Sequence, residues 1–225
     1  SEKNMKNITS YFVEKSNGLL KIEPETLNYG NSYSMANSAS PEIEVCEFLY
    51  SMVRILKPQA VLETGTAVGV SCSYMAQGLK DNGFGKITTI EYNTELIQKS
   101  EKLWQQLELG NWIKVRQGLS LKFQPDENYE LMFLDTEVDI RLHELVKFYP
   151  NLNEGGIAII HDMPYDLAQN THNPDHSDTD PWPIGPIPKE ITNWVKDGKL
   201  RPMFFPNPRG MLSFYKPKQN EHKWI

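Results

Sequence analysis

Short apolar runs alternate with segments of helical period through most of the chain, and this alternation sets the expected architecture. A helix is expected from Ser40-Pro41, with serine as N-cap and proline at the first helical position. Ile43, Cys46, Leu49, Val53 and Leu56 form its apolar stripe, and Lys57-Pro58 ends it. Ala60–Glu63 reads as a buried strand, and residues 70–80 as a helix stopped by Asn82-Gly83. The next strand is Ile87–Glu91, followed by a helix from Thr94 to about Leu109 with Gly110 as its stop. Ile113–Arg116 makes a third strand, and Glu130–Asp135 a fourth, built on the run Leu131, Met132, Phe133 and Leu134. Leu142, Leu145, Val146 and Tyr149 mark a helix, after which Gly155-Gly156 turns the chain into a fifth strand, Ile157–Ile160. Ile191, Trp194 and Val195 indicate one more helix, and Met203–Phe205 with Met211–Tyr215 an antiparallel hairpin.

Strands separated by helices of this length imply right-handed crossovers and an α/β fold. The expected sheet is doubly wound, mostly parallel and seven-stranded, with the C-terminal hairpin antiparallel. Two segments depart from the pattern. Residues 1–40 hold a short helical signal (Ile8, Tyr11, Phe12) and an Asn/Ser-rich stretch, read as a cover segment before a domain at 41–225. Residues 163–188, with prolines at 164, 174, 181, 183, 186 and 188, read as a lid insertion in that domain.

At 225 residues the chain is sized for one domain with a substantial core. Its net charge of −6 and the lack of a basic cluster exclude the electrostatic footprint of a nucleic-acid binder. No apolar run reaches membrane-spanning length. The first residues, with Lys3 and Lys6 among polar neighbours, lack the apolar centre of a signal peptide. Cys46 and Cys72 fall in helical patterns and read as free thiols of a reducing compartment. A cytoplasmic protein with a small-molecule substrate, and neither membrane nor nucleic-acid partner, is expected. The assembly is left open, with a homodimer as the candidate.

Candidate chemistry begins at Val61–Ser71, where an apolar run ends in Glu63 and a turn carrying Gly65 and Gly69 leads into a helix. Glycines there let a backbone approach a ligand closely, at the carboxyl end of the first strand. The spacing is not the G-x-G-x-x-G of dinucleotide binders, and Glu63 would repel a pyrophosphate. A cationic ligand would welcome it. Glu91, at the end of the second strand, reads as an acceptor for ribose hydroxyls or as a solvated strand-end acid, and Tyr92 as packing on an adenine or as interfacial. Gly118-Leu119-Ser120 follows the third strand. Asp135 ends the fourth and His161-Asp162 the fifth, a set of oxygen and imidazole donors suited to Mg²⁺ or another divalent ion. His143 reads as a structural histidine flanking the core face of its helix. His172 and His176 read as exposed loop residues, and Trp182 as a wall for an apolar substrate or a pin for its loop.

The order Glu63-x-Gly65-x-x-x-Gly69-x-Ser71, Glu91, Gly118-x-Ser120, Phe133-Leu134-Asp135, Leu152-x-x-Gly155-Gly156 and Asp162 resembles the class I S-adenosylmethionine-dependent methyltransferases. Within them it is similar to the small O-methyltransferases of the catechol and caffeoyl-CoA type. The resemblance covers about residues 35–162. It implies a Rossmann-like fold and S-adenosylmethionine as cofactor. Glu63, Gly65, Thr66 and Ser71 would line the methionine part, Glu91 would bind the ribose and Ser120 the adenine, with Gly69, Tyr92 and Gly118 counted among the cofactor-binding residues. Asp135 would serve cofactor and metal, and Asp162 the metal. Two positions depart from the family: Met163 stands where it has a ligand asparagine, and Val138 where it has a lysine base. His161, with Asp135 and Asp162, is then the candidate catalytic group. The implied reaction is in-line methyl transfer to a small-molecule oxygen, with a divalent ion as candidate aid. An N-methyltransferase, a non-catalytic cofactor-binding subunit and a nicotinamide oxidoreductase are the alternatives.

Overall fold

The computed structural model describes residues 35–36, 39–163, 187–205, 207, 209–219 and 221. Nearly all of the expected cover segment, with Ile8, Tyr11 and Phe12, lies outside the described residues. So does most of the expected lid, with His172, His176 and Trp182.

Two compact units divide the chain, the first ending at Ser120 and the second beginning at Leu121. The first comprises α1 (Ile43–Leu56), β1 (Ala60–Thr64), α2 (Val70–Asn82), β2 (Lys86–Glu91), α3 (Thr94–Gln106) and β3 (Ile113–Gln117). Its strands lie parallel in the order β3-β2-β1. Every residue of β1 is buried, as a strand covered on both faces requires. Helix α2 is buried from Val70 to Leu79 although several of those residues are polar. Burial of polar side chains costs free energy unless they are hydrogen-bonded, and here they are. Ser71 donates to Glu63 Oε1 (2.6 Å), Ser73 to the Gly69 carbonyl (2.6 Å) and Gln77 to Asp81 (2.8 Å).

Two boundaries in this unit differ from expectation. Helix α1 starts at Ile43, after Ser40-Pro41, because Glu42 keeps an extended backbone (ψ 145°) and bridges to Met35. Its buried face is Val45, Cys46, Leu49, Tyr50 and Val53, while Ile43 and Leu56 are only half-buried. Helix α3 ends at Gln106 rather than near Leu109. Glu108, at φ +56°, makes the left-handed reversal expected of Gly110, and Leu109 then bonds back to the Trp104 carbonyl (2.8 Å) and is fully buried. Burying one leucine outweighs the strain of a non-glycine left-handed residue, roughly 1.5–3 kcal/mol against about 1–2 kcal/mol.

The second unit comprises β4 (Tyr129–Leu134), α4 (Arg141–Phe148), β5 (Leu152–His161), α5 (Lys189–Lys196), β6 (Arg201–Phe205) and β7 (Met211–Tyr215). The order is β4-β5-β7-β6, with β5 parallel to β4 and the β6–β7 hairpin antiparallel. Gly155-Gly156 are not a turn before the strand, as the pattern suggested. They lie within β5 as an irregularity, where its register against β4 slips between Tyr129 and Leu131. Gly155 takes φ +83° and donates to the Lys216 carbonyl (2.7 Å), while Lys216 donates to Gly156 (3.0 Å). A bulge of this kind needs glycine at the left-handed position. His143 is exposed on α4, not set against its core face.

Seven strands, mostly parallel and ended by an antiparallel hairpin, are the sheet that the hydrophobic pattern predicted. Among the described residues, no helix is long and apolar enough to cross a membrane. Cys46 and Cys72 are buried and free.

Candidate active site

In the first unit the loop from Gly65 to Gly69 joins β1 to α2, with positive φ at Gly65 (+80°), Ala67 (+46°) and Gly69 (+81°). Two backbone donors tie the strand ends together and a third closes the loop. Gly65 N–H bonds the Ile90 carbonyl (3.0 Å), Gly118 N–H the Glu91 carbonyl (2.9 Å), and Gly69 N–H the Thr66 carbonyl (2.8 Å). Gly69 is explained by packing. A β-carbon there would stand 2.7 Å from Ser100 Cβ and 2.8 Å from Trp104 Nε1, and Trp104 donates to the Gly69 carbonyl (3.1 Å).

Glu63 is wholly buried. Such a carboxylate requires partners. Its oxygens accept Ser71 Oγ (2.6 Å) and Thr89 Oγ1 (2.5 Å). Thr89 has one hydroxyl proton and spends it on Glu63, so in the 2.5 Å contact between Thr66 and Thr89 the donor is Thr66. Thr66, Thr89, Glu63 and Ser71 thus form one buried chain across β1, β2, the loop and α2. Burial, with the same carboxylate beside it, pushes the Cys72 thiol well above its ordinary pKa. Sequence reasoning missed Thr89, because threonine in a strand reads as ordinary β-propensity. Its signal is a polar residue inside an otherwise buried strand.

Glu91 is also buried, and its carboxylate accepts Ala67 N–H (3.0 Å) and Asn93 N–H (2.9 Å). Asn93 in turn caps α3 through Glu95 N–H (2.9 Å). Tyr92 beside it is 62% exposed, an unburied aromatic next to an acid at the end of a strand. Ser120 is buried, and Gly118 takes φ +146°. A glycine turn, an acid with acceptor capacity and an exposed ring fit a nucleoside bearing a cationic side chain.

In the second unit Asp135 stands just past β4, His161 ends β5, and Asp162 follows at φ +53°. One ligand atom from each lies within 4.8 Å of the others, as the sequence suggested. His161 Nδ1 is 3.2 Å from Asp135 Oδ1 and 3.5 Å from Asp162 Oδ1, so Nδ1 carries the proton and Nε2 is the acceptor nitrogen.

Two arginines that sequence reasoning missed complete this cluster. Arg141, the first residue of α4, places Nη2 2.9 Å from Asp135 Oδ1 and Nη1 2.9 Å from Asp162 Oδ2. It also donates to the carbonyls of Thr136 (Nε, 2.8 Å) and His161 (Nη1, 2.6 Å). Arg209, in the β6–β7 turn, places Nε 2.7 Å from Asp162 Oδ1 and Nη2 2.9 Å from Oδ2. The available signal for Arg141 was a cation at a helix N-terminus, where the dipole disfavours one. For Arg209 it was the hairpin register, which pairs His161 with Met211.

These donors do not fit a divalent ion. Both oxygens of Asp162 and one of Asp135 are held by guanidinium groups. Two carboxylates facing two guanidiniums leave no net negative charge to attract a dication. Met163 is fully buried with its N–H on the Gly210 carbonyl (3.1 Å), and Val138 is buried.

Burial works to raise the Asp135 carboxyl, but His161 and Arg141 beside it hold it well below the usual carboxylate range. The sign follows from that depression: the stability Asp135 contributes is fully present above its unfolded value of about 3.9 and is lost as pH falls further. Asp135→Asn is therefore expected to flatten the decline of unfolding free energy below about pH 4. Denaturant unfolding repeated across that range measures the slope, and equal slopes in the two proteins would count against it.

Residues 62–163 match a methyltransferase domain family. A curated protein of Mycolicibacterium smegmatis, provisionally named an O-methyltransferase, is 25% identical over 166 residues, 72% of this chain and 76% of that protein. Another of that name, from Mycobacterium avium, is 27% identical over 107 residues, 46% of this chain and about half (47%) of the relative's length. Among solved structures, the O-methyltransferase from Bacillus cereus in complex with SAH has a TM-score of 0.65 at 15% identity, covering 96% of this chain and 92% of that one. The O-methyltransferase TomG from Streptomyces achromogenes, in complex with SAM, also has 0.65, at 14% identity with 93% and 96% covered. At such identities the structures speak for the fold.

The sheet, the glycine loop and the match over residues 62–163 are those of class I S-adenosylmethionine-dependent methyltransferases. Its sequence relatives are provisionally named O-methyltransferases.

Proposed function

We propose that the chain methylates an oxygen of a small molecule, with S-adenosylmethionine as methyl donor and His161 taking the acceptor's proton. The observation that carries this is the His161–Asp135 pair at 3.2 Å, which supplies a base in a chain that has Val138 in place of the family's lysine. When bound, S-adenosylmethionine supplies the sulfonium methyl group that the acceptor oxygen takes up by in-line displacement. Glu91 binds the ribose hydroxyls, since each of its oxygens keeps acceptor capacity beyond one backbone N–H. Tyr92 covers the adenine, while Gly118 and Ser120 line its edge. Glu63 acts by holding Thr66, Thr89 and Ser71 in place and by its negative charge near the loop, as its own oxygens are already engaged.

Asp135 fixes the His161 ring through Nδ1–H and stabilises the imidazolium formed when Nε2 takes the acceptor's proton. At 12% exposure Asp135 is the most open of the three, and it marks where the acceptor enters. Two buried free thiols support a reducing compartment, the cytoplasm, as its location.

Calorimetric titration with S-adenosylmethionine, S-adenosylhomocysteine and NAD⁺ tests the donor, and transfer of a tritiated methyl group to a panel of hydroxylated small molecules tests the acceptor. Glu91→Gln is expected to weaken cofactor binding by about tenfold or more, the loss of a charge-assisted hydrogen bond of roughly 1.5–3 kcal/mol. His161→Asn is expected to leave that affinity alone and lower kcat by about 10²–10⁴. Binding of NAD⁺ in preference to S-adenosylmethionine, or full turnover by His161→Asn, would sink the proposal.

A further inference from the structure

The resemblance to metal-dependent O-methyltransferases assigns Asp135 and Asp162 to a divalent ion, yet the space an ion would bridge is bridged by a side chain. One planar guanidinium, Arg141, reaches Asp135 with Nη2 and Asp162 with Nη1, both at 2.9 Å, and is itself 6% exposed. Its five donors in a fixed fork suit two carboxylates at once. Arg209 then covers both oxygens of Asp162. Any dication seated among Asp135, His161 and Asp162 would lie a few ångströms from both guanidiniums, where like charges repel.

We propose that Arg141, seconded by Arg209, stands in the place of the metal: it holds Asp135 and Asp162 together, keeps His161 oriented between them, and makes the reaction independent of divalent cations. The catalytic half of this rests on the methyl-transfer reading above, whereas the exclusion of metal does not. Arg141 is a positioning residue, acting on the acceptor through His161 and Asp135. Its carbonyl contacts, at Thr136 and His161, fix the guanidinium independently of the acids and leave it little room to swing aside for an ion.

Mn²⁺ is the probe, followed by electron paramagnetic resonance on the full chain with S-adenosylmethionine present. Wild type is expected to leave the signal of free Mn²⁺ unchanged up to about 1 mM, the weak end of protein affinities for divalent ions. Arg141→Gln removes the bridging charge, frees the acid pair and is expected to bind Mn²⁺ at least about tenfold more tightly. Should circular dichroism show that variant unfolded, Arg209→Gln carries the same expectation, since its side chain leaves a turn rather than a helix packed on the core. Stoichiometric Mn²⁺ uptake by wild type that Asp162→Asn abolishes would overturn the proposal. So would a folded variant that gains no affinity, because the arginines would then not be what keeps the ion out. Cofactor affinity, read calorimetrically on the same samples, reports on the methyltransferase reading separately: its loss would leave the Mn²⁺ result standing.

Discussion

Gly69→Ala is expected to destabilise the protein by about 2–5 kcal/mol. Two costs combine. A left-handed residue with a β-carbon loses roughly 1–2 kcal/mol, and forcing extra volume into a packed site loses about 1–3 more. At Gly69 both apply, since φ is +81° and the new carbon would fall within 2.9 Å of Ser100 Cβ and two atoms of the Trp104 indole. The indole cannot retreat cheaply, because its N–H is spent on the Gly69 carbonyl and its ring is buried. Gly83→Ala is the control, with φ +83° but nothing within 4 Å of the added carbon. Only the backbone cost remains there, about 1–2 kcal/mol. Denaturant unfolding of both variants decides it: equal losses would show that the loop yields around Trp104 and that close packing does not explain Gly69.

That result bears on what a glycine-rich loop means. Gly65 and Gly69 suggest close approach to a ligand when read in sequence, but the atoms nearest Gly69 belong to α3. Sequence spacing is local, whereas the Trp104 contact joins residues 35 apart, and no pattern in either segment announces it. The strands were legible for the opposite reason. Runs such as Leu131–Leu134 are apolar without a break because they are covered on both faces, and such runs announce themselves. Boundaries failed where tertiary contacts overrode local signals. Ser40-Pro41 has the chemistry of a helix start, yet the Met35–Glu42 bridge delays it, and burial of Leu109 ends α3 before Gly110 is reached. Gly155-Gly156 were recognisable as backbone specials, but bulge and turn ask for the same residue.

The charged cluster shows the limit most clearly. Asp135, His161 and Asp162 could be found because each ends a strand, and strand ends of an α/β sheet are where ligands bind. Their meaning could not, since it depends on two cations from α4 and the β6–β7 turn that share no motif with them. Acids alone read as a metal site. Acids with Arg141 and Arg209 read as an ion-paired, charge-balanced network.

Arg141→Met should therefore be the most damaging charge removal in the described chain, at roughly 3–5 kcal/mol, the usual cost of leaving buried charges without their partner. The site makes its own case for the upper end. Besides two carboxylates, the substitution strips the Thr136 and His161 carbonyls of their donors. Local preference works the other way, because a cation on the first turn of α4 opposes the helix dipole by about 0.3–1 kcal/mol. That relief is several times too small to compensate. Arg201, paired with Glu221 at 3.0 Å but about a third exposed, supplies the comparison, and Arg201→Met should leave the denaturation midpoint almost unmoved. A second comparison separates charge from packing. Adding Asp162→Asn to Arg141→Met removes one orphaned acid and should recover part of the loss, whereas damage due to lost volume would not be recovered by changing an aspartate. If the double variant is no more stable than the single, the cluster is held by shape, and the guanidinium is not the counter-charge that its geometry makes it.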